Sequence, residues 1–182
     1  MTQAKTRIRP YSRMGLTSTP MIVGRQKAKS TYVIGAPVYI DSSGYIAAAS
    51  VTASLGAGST LTGISAAIAG FVAENGAASS SKTSNVTVHA AVEGMEFIGH
   101  VISAASPSSN AKLAQTDVGA VMYLGLVDAS DTHWGIVKHG ASSFSANAKV
   151  EVVVTRLIDA VSTVNGRVAF AIKSDWRQLA DT

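Results

Sequence analysis

The side chains of this sequence best suited to bind a metal are its histidines. His89 and His100 lie on two alternating runs joined by Glu93-Gly94, so a hairpin there would place the imidazoles opposite one another. Two imidazoles lack the third or fourth ligand of a zinc site. His133 and His139 flank a tryptophan run without a recognised ligand spacing. Because the chain also has no cysteine, we expect no metal site and no cofactor.

The side chains that could take part in catalysis do not combine into a recognisable catalytic site. Glu93 and Glu96 flank a turn, where solvated acids are common, and no serine lies in a G-x-S-x-G elbow. The run Gly56-Ala57-Gly58 lacks the lysine of a phosphate-binding loop. Trp134 and Trp176 have the chemistry of ligand platforms and equally of core anchors. The sequence therefore predicts a protein that is not an enzyme.

The elements that would position these side chains are short strands. Runs rich in β-branched residues occupy 86–91, 95–102, 121–127, 132–138 and 149–158, and loops of Ser, Ala, Gly and Asn separate them. Strands at turn-punctuated intervals without helical patterns between them indicate an antiparallel fold. We predict an all-β protein, an antiparallel β-barrel or sandwich of jelly-roll or Greek-key type with an extended N-terminal arm.

Three local patterns add detail. The run 31–40 predicts an edge strand or one broken by a bulge, because Pro37 cannot donate to a ladder. Asn165-Gly166 predicts a type I′ hairpin that joins 161–164 to 167–172. Helical patterns are short, with two turns at most over 66–74 and one over 175–179.

The composition excludes several classes of protein. The chain has 182 residues, of which 47% are hydrophobic and only 14% are charged, against about 25% charged in typical globular domains. A disordered protein or a coiled coil does not have this composition. The most apolar stretch, 61–73, is interrupted by polar residues and too short to span a bilayer. The first twenty residues hold no secretory signal, so we expect a soluble product without a membrane partner.

The net charge of +4 is divided unevenly along the chain. Residues 1–29 carry seven basic residues and no acid, whereas 30–182 carry the remaining eight basic and all eleven acidic residues, a net −3. Proline and the lack of helical periodicity favour an extended path for the first segment, whose full length of about 29 residues could reach roughly 100 Å. The sequence therefore predicts a basic arm (1–29), a β domain (30–174) and a short C-terminal tail (175–182).

The second half of the chain resembles a known family. The runs 111–127 (AKLAQTDVGAVMYLGLV), 134–137 (WGIV) and 150–172 (VEVVVTRLIDAVSTVNGRVAFAI) are similar to the C-terminal half of the head-decoration, or cement, proteins of tailed bacteriophages. The resemblance covers about a third of the chain. It implies a non-enzymatic β-barrel protein, usually a homotrimer, that sits on an icosahedral shell and clamps neighbouring capsomers.

With this resemblance, the sequence predicts a virion structural protein that is made in the host cytoplasm and decorates the capsid surface. Its partners would be the major capsid protein and other copies of itself, and we do not expect it to bind nucleic acid.

Deletion of residues 2–29 is expected to leave a folded body that no longer binds capsids. Basic arm residues would pair with capsid carboxylates, and apolar ones would dock on the shell. The predicted partner-binding residues of the arm are Arg7, Arg9, Arg13, Met14, Leu16, Met21, Ile22, Val23, Arg25, Lys27 and Lys29.

Two alternative functions fit the same features. A jelly-roll coat protein would form a shell itself and use its basic arm on packaged nucleic acid, with a steep dependence of binding on salt. A carbohydrate-binding or receptor-binding β module would line a sugar site with Trp134, Trp176 and nearby tyrosines.

Overall fold

The computed structural model of the chain describes residues 7–13, 18–49, 53–54, 62–63, 67–74, 76–77, 84–103, 111–126, 134–138 and 150–179. These residues form strands and two short 3-10 helices, Gln115–Asp117 and Ser174–Trp176. The all-β prediction is confirmed. The strands are β1 (Arg9–Arg13), β2 (Met21–Arg25), β3 (Thr31–Tyr32), β4 (Pro37–Ile40), β5 (Ile46–Ala48), β6 (Ala53–Ser54), β7 (Thr62–Gly63), β8 (Gly70–Val72), β9 (Gly76–Ala77), β10 (Asn85–Ala90), β11 (Met95–Ser103), β12 (Val121–Leu126), β13 (Trp134–Lys138), β14 (Glu151–Leu157) and β15 (Arg167–Ile172).

Strands from the second half of the chain form a closed barrel. Around it the order is β11, β15, β14, β12, β13 and back to β11. Neighbouring strands run antiparallel except β11 and β13, which are parallel. Side chains alternate along each strand, so that Val152 and Val154 of β14 are fully buried while Val153 between them is only half-buried. The side chains that point inward from each strand together form the core of the barrel.

A second, antiparallel sheet has the order β2, β10, β8, β4, β5. It curls until Gln26, just after β2, forms a bridge with Ile46 of β5, where the amide of Lys27 donates to the Ile46 carbonyl at 2.8 Å. The buried Tyr32 hydroxyl completes this junction by donating to the same carbonyl at 2.5 Å. The concave side of the sheet thus has its own small core. Its buried members are Tyr32, Val38, Ile46, Val72, Val86 and Val88.

Three phenylalanines join the second sheet to the barrel. Phe71 of β8 is fully buried against Phe97 of β11 and Phe170 of β15, with ring centroids 4.7 and 6.3 Å away. Both contacts of Phe71 are edge-to-face, an arrangement that aromatic pairs favour. Because Phe71 belongs to one sheet and its partners to the other, the cluster fastens the two sheets together.

The predicted Glu93-Gly94 hairpin is wrong, although the turn itself is present. Gly94 has a φ of 71°, as a tight turn requires. However, β10 pairs with β2 and β8, whereas β11 pairs with β1, β13 and β15. The turn therefore carries the chain from one sheet to the other. As a result His89 and His100 are not a cross-strand pair, and His100 lies opposite Arg167 instead.

The predicted Asn165-Gly166 hairpin is also wrong. Asn165 does have the positive φ, 52°, that the sequence suggests. The residues before it, however, bond to 111–113, where the Leu113 amide donates to the Thr163 carbonyl at 3.0 Å. Strand β15 pairs instead with β14 and β11, and residues 158–166 connect β14 to β15.

Other local predictions are partly corrected. The run 31–40 splits into β3 and β4 at a turn in which Gly35 has a φ of 80°. Pro37 is the first residue of β4, a position that tolerates proline, but β4 lies between β8 and β5 and is not an edge strand. The described part of 66–74 contains β8 rather than a helix. One short turn is present near the predicted 175–179, in the 3-10 helix Ser174–Trp176.

A buried carboxylate stabilises the 3-10 helix that precedes β12. Asp117 is 4% exposed, accepts a hydrogen bond from the Ala114 amide at 2.8 Å and pairs with the Lys138 ammonium at 2.9 Å. The same ammonium donates to the carbonyl of Lys112 at 2.8 Å. Asp117 thus ties residues 112–117 to β13.

Replacing Asp117 with alanine should lower the free energy of unfolding by about 1–3 kcal/mol, because the Ala114 amide loses its acceptor and the Lys138 ammonium loses its counter-ion. Asp117→Asn keeps an acceptor for the amide and should lose less. Urea denaturation of the two variants measures both values. Equal losses would show that the capping hydrogen bond contributes little.

Candidate interaction surface

The described part of the basic N-terminal segment is paired with both sheets. Strand β1 runs antiparallel to β11 of the barrel, and β2 runs antiparallel to β10 of the second sheet. Because β10 and β11 are consecutive strands that separate into different sheets, the segment bridges the point where they diverge. The sequence predicts an extended segment that leaves the body, and the structure shows strands that pack on their own chain.

Ile8 anchors this segment in the barrel. Its side chain is 1% exposed and belongs to the main hydrophobic core. The backbone of Gly35 lies so close that a Cβ there would be 2.7 Å from the Ile8 amide nitrogen. The charges on either side of Ile8 make the segment resemble a solvated arm in sequence. The alternation of exposed Arg7, buried Ile8 and exposed Arg9 is the strand signal that would have found it.

On the outer side of the barrel, Tyr11 holds β1 in place. The Arg156 guanidinium lies 5.1 Å from the centroid of the Tyr11 ring, within cation–π range. The same guanidinium is 3.6 Å from a carboxylate oxygen of Glu96, which lies on β11. Strand β1 joins the barrel sheet by pairing with β11, and the side chains of Ile8 and Tyr11 hold it there from the inner and the outer side.

Strand β2 is an edge strand that presents alternate side chains to solvent. Met21 and Val23 are 53% and 64% exposed, and Arg25 is also exposed. Ile22 points to the opposite side, where it lies beside Val88 in the register. We call the exposed surface the β2 face. It consists of Met21, Val23 and Arg25 with the directly opposite residues His89, Thr87 and Asn85 of β10.

The remaining predicted basic residues have different surroundings. Lys27 pairs with Asp41 at 3.2 Å, and this hydrogen bond and charge raise the pKa of the lysine. The hydrogen bond from the Tyr45 amide, followed by the one from Lys27, lowers the pKa of the Asp41 carboxyl. Arg25 and Lys29 are exposed, and no carboxylate of the described residues forms an ion pair with either. The side chain of Arg13 and the whole of Met14 and Leu16 lie outside the described residues.

His89 marks the inner boundary of the β2 face. It lies between exposed Met21 on β2 and fully buried Phe71 on β8. Its Nδ1 atom is buried and has no hydrogen-bond partner among the described residues. Burial lowers the pKa of this imidazole below its usual value, because desolvation disfavours the charged form.

The stability of the protein should therefore fall as the pH drops below about 6.5. Below this pH the unfolded chain binds a proton on His89. The folded chain, in which the pKa of His89 is lower, binds it only at a lower pH. The His89→Gln variant should lose less stability than the wild type between pH 7.5 and pH 5. Urea midpoints at the two pH values measure this difference, and an unchanged difference would contradict the assignment.

The other chemistry-bearing residues do not assemble around the β2 face. Trp134 is buried in the main core and Trp176 packs against it, so neither indole forms an exposed platform. His133 and His139 lie outside the described residues. Among the residues that the structure describes, no three His, Cys, Asp or Glu side chains group to hold a metal ion, and no helix is long and apolar enough to cross a membrane.

No family model, curated protein or solved structure matches the chain.

Proposed function

We propose that this protein is a virion structural protein, a capsid decoration subunit that binds a shell of major capsid protein. In this proposal it acts as a homotrimer and is not an enzyme. The resemblance of residues 111–172 to bacteriophage cement proteins supports the proposal from the sequence. The β2 face supports it from the structure.

The observation that carries the proposal is the exposure of Met21 and Val23 on one face of an edge strand. Single exposed apolar side chains are common, but these two lie on an edge strand, whose unpaired backbone groups can pair with another chain. Burying them in a contact would contribute about 25 cal/mol for each Å² of apolar surface removed from water.

The charge beside these residues indicates the chemistry of the partner. Arg25 and Lys29 follow the apolar pair, and Arg7 and Arg9 are exposed at the start of β1. These cations suit a surface rich in carboxylates, and long-range attraction would speed the encounter at low salt. An acidic protein shell meets this requirement.

The way the segment is held also favours binding. Strands β1 and β2 are already paired with β11 and β10, so their residues lose little backbone entropy when a partner docks. A free arm would lose roughly 1–2 kcal/mol for each residue that becomes ordered. Pre-organisation of this kind strengthens binding without additional contacts.

Co-sedimentation with expanded shells of the cognate major capsid protein tests the proposal. The Val23→Asp variant should bind at least tenfold more weakly, because it places a charge where the contact is apolar. Val161→Asp is the matched control, since Val161 is 52% exposed and lies in the connection between β14 and β15, neither of which pairs with β2. If the wild type does not sediment with the shells, or if both variants bind like it, the proposal is wrong. Light scattering of the purified protein measures whether it is a trimer.

A further inference from the structure

The register of β2 shows which of its backbone groups face outward. The Ala90 amide donates to the Pro20 carbonyl at 2.9 Å, and the Gln26 amide donates to the Ser84 carbonyl at 2.8 Å. Hydrogen-bonded pairs alternate along an antiparallel ladder. Residues 20, 22, 24 and 26 therefore bond to β10, and the N–H and C=O groups of Met21 and Val23 point away from it.

These outward groups have no partner among the described residues. The sheet order ends at β2, and no backbone hydrogen bond there involves Met21 or Val23 beyond the pairing with β10. At the other end of the strand, the bridge between Gln26 and Ile46 closes the sheet. The open part of the edge is thus short, and its length suits one extended segment of about five residues.

We propose that this edge binds an extended acidic segment of the partner, which adds to the sheet as a sixth strand. The proposal deepens the proposed function, on which it rests, by assigning the mode of binding and the chemistry of the bound segment. The backbone of Met21 and Val23 would supply the hydrogen bonds, and their side chains would select the residues of the added strand.

The side chains of the β2 face define a sequence preference. In an added strand, residues directly opposite Met21 and Val23 would share their face and should be apolar or β-branched. The residue opposite Arg25 should be acidic. A segment in which apolar residues alternate with polar ones and an acid stands at the end therefore fits the edge.

Charge favours this occupant over a second copy of the same strand. Residues 1–29 carry seven basic residues and no acid, so two such segments brought edge to edge would repel one another. Lysine and arginine at or near an edge are a known means of preventing self-pairing. An acidic strand would instead be attracted to the basic segment.

Amide exchange of the full-length protein, followed by NMR, tests the proposal directly. The probe is the capped peptide Glu-Thr-Val-Thr-Val-Thr-Glu, whose acids at both ends make its direction immaterial. The amides of Met21 and Val23 should exchange about tenfold more slowly at a peptide concentration ten times the dissociation constant. The same peptide with lysine in place of glutamate should have a much smaller effect.

A proline variant separates backbone pairing from side-chain docking. Val23→Pro removes the outward N–H of an edge strand and leaves the hydrogen bonds to β10 intact, so it should fold and lose the peptide effect. Val23→Thr keeps the N–H and should retain it. Should Val23→Pro fail to fold, Met21→Pro serves in its place, since its N–H also points outward at the first position of the strand.

The outcomes separate this proposal from the proposed function. Slowed exchange at Met21 and Val23 supports strand addition even if capsid shells do not bind. Shell binding that survives in Val23→Pro overturns strand addition and leaves the decoration function standing. Unchanged exchange up to about 5 mM peptide, equal protection by the lysine peptide, or protection that rises with protein concentration alone would each overturn the acidic-strand assignment.

Discussion

Replacing Ile8 with alanine should lower the free energy of unfolding by about 2–5 kcal/mol, the range for a large aliphatic side chain lost from a packed core. Ile8 is 1% exposed and packs in the main hydrophobic core, although it precedes the first strand of a segment that the charge pattern assigns to an arm. Gly35, whose backbone lies against that of Ile8, offers no side chain that could fill the space left.

Urea denaturation at neutral pH measures the loss. Val161→Ala is the matched control, because its side chain is 52% exposed and its truncation should change the free energy by no more than about 0.5 kcal/mol. An effect of Ile8→Ala as small as that of the control would show that the N-terminal segment does not belong to the folded core.

The position of Ile8 also changes what a deletion would do. The charge division predicts that a chain without residues 2–29 folds and only loses its binding. The structure indicates instead that this deletion removes a core residue and two strands, β1 and β2, from two sheets. We expect the truncated chain to be unfolded or strongly destabilised, so point variants on the β2 face are the better test of binding.

The Gly70→Ala variant should be destabilised by about 3 kcal/mol or more. A Cβ at this position would lie 2.0 Å from the carbonyl oxygen of His89 on the neighbouring strand. That oxygen belongs to the backbone of β10 and cannot move without breaking the pairing of β8 with β10. Overpacking against a rigid neighbour costs about 1–3 kcal/mol and occasionally more.

Gly70 also has a positive φ, 158°, so its substitution adds backbone strain to the clash, and Gly44→Ala shows the cost of such strain without a clash. Gly44 has a φ of 81°, but no atom lies within 4 Å of a Cβ built there. Its substitution should cost only the strain of a left-handed residue, about 1–2 kcal/mol. Thermal unfolding of both variants gives the two values. If Gly70→Ala is no less stable than Gly44→Ala, β8 and β10 are not as close as the structure shows.

Local patterns in the sequence predicted individual strands well. The alternation of Val86, Val88, Ala90 and Val92 predicts one face. The first three are buried on β10, whereas Val92 is half-buried beyond the end of that strand. The valine-rich run near residue 150 became β14, and the run that follows Asn165-Gly166 became β15. These patterns are reliable because side-chain direction in a strand depends only on the pleat of the local backbone.

The choice of partner for each strand could not be read from the same patterns. Both predicted hairpins contained a residue with positive φ, Gly94 in one and Asn165 in the other. In neither case do the strands on the two sides of the turn pair with each other. A turn reverses the direction of the chain. Which strand then pairs with the one after the turn depends on how much apolar surface each possible pairing would bury.

The candidate surface could likewise be predicted only in part from the sequence. The sequence predicts that Met21, Val23 and Arg25 bind a partner. In the structure their side chains lie on the same exposed face of β2. The structure also separates them from Ile22, which lies on the opposite side, and from Lys27, which pairs with Asp41. No linear pattern predicts that separation, since it arises from the pairing of β2 with β10.

The all-β class, the common face of Val86, Val88 and Ala90 and the concentration of positive charge in the first 29 residues follow from the amino-acid sequence alone. Each is a property of composition or of a few neighbouring residues. The burial of Ile8, the separation of β10 and β11 into two sheets and the open edge of β2 became apparent only from the fold. These features depend on contacts between residues far apart in the chain, whose free energies are set by packing.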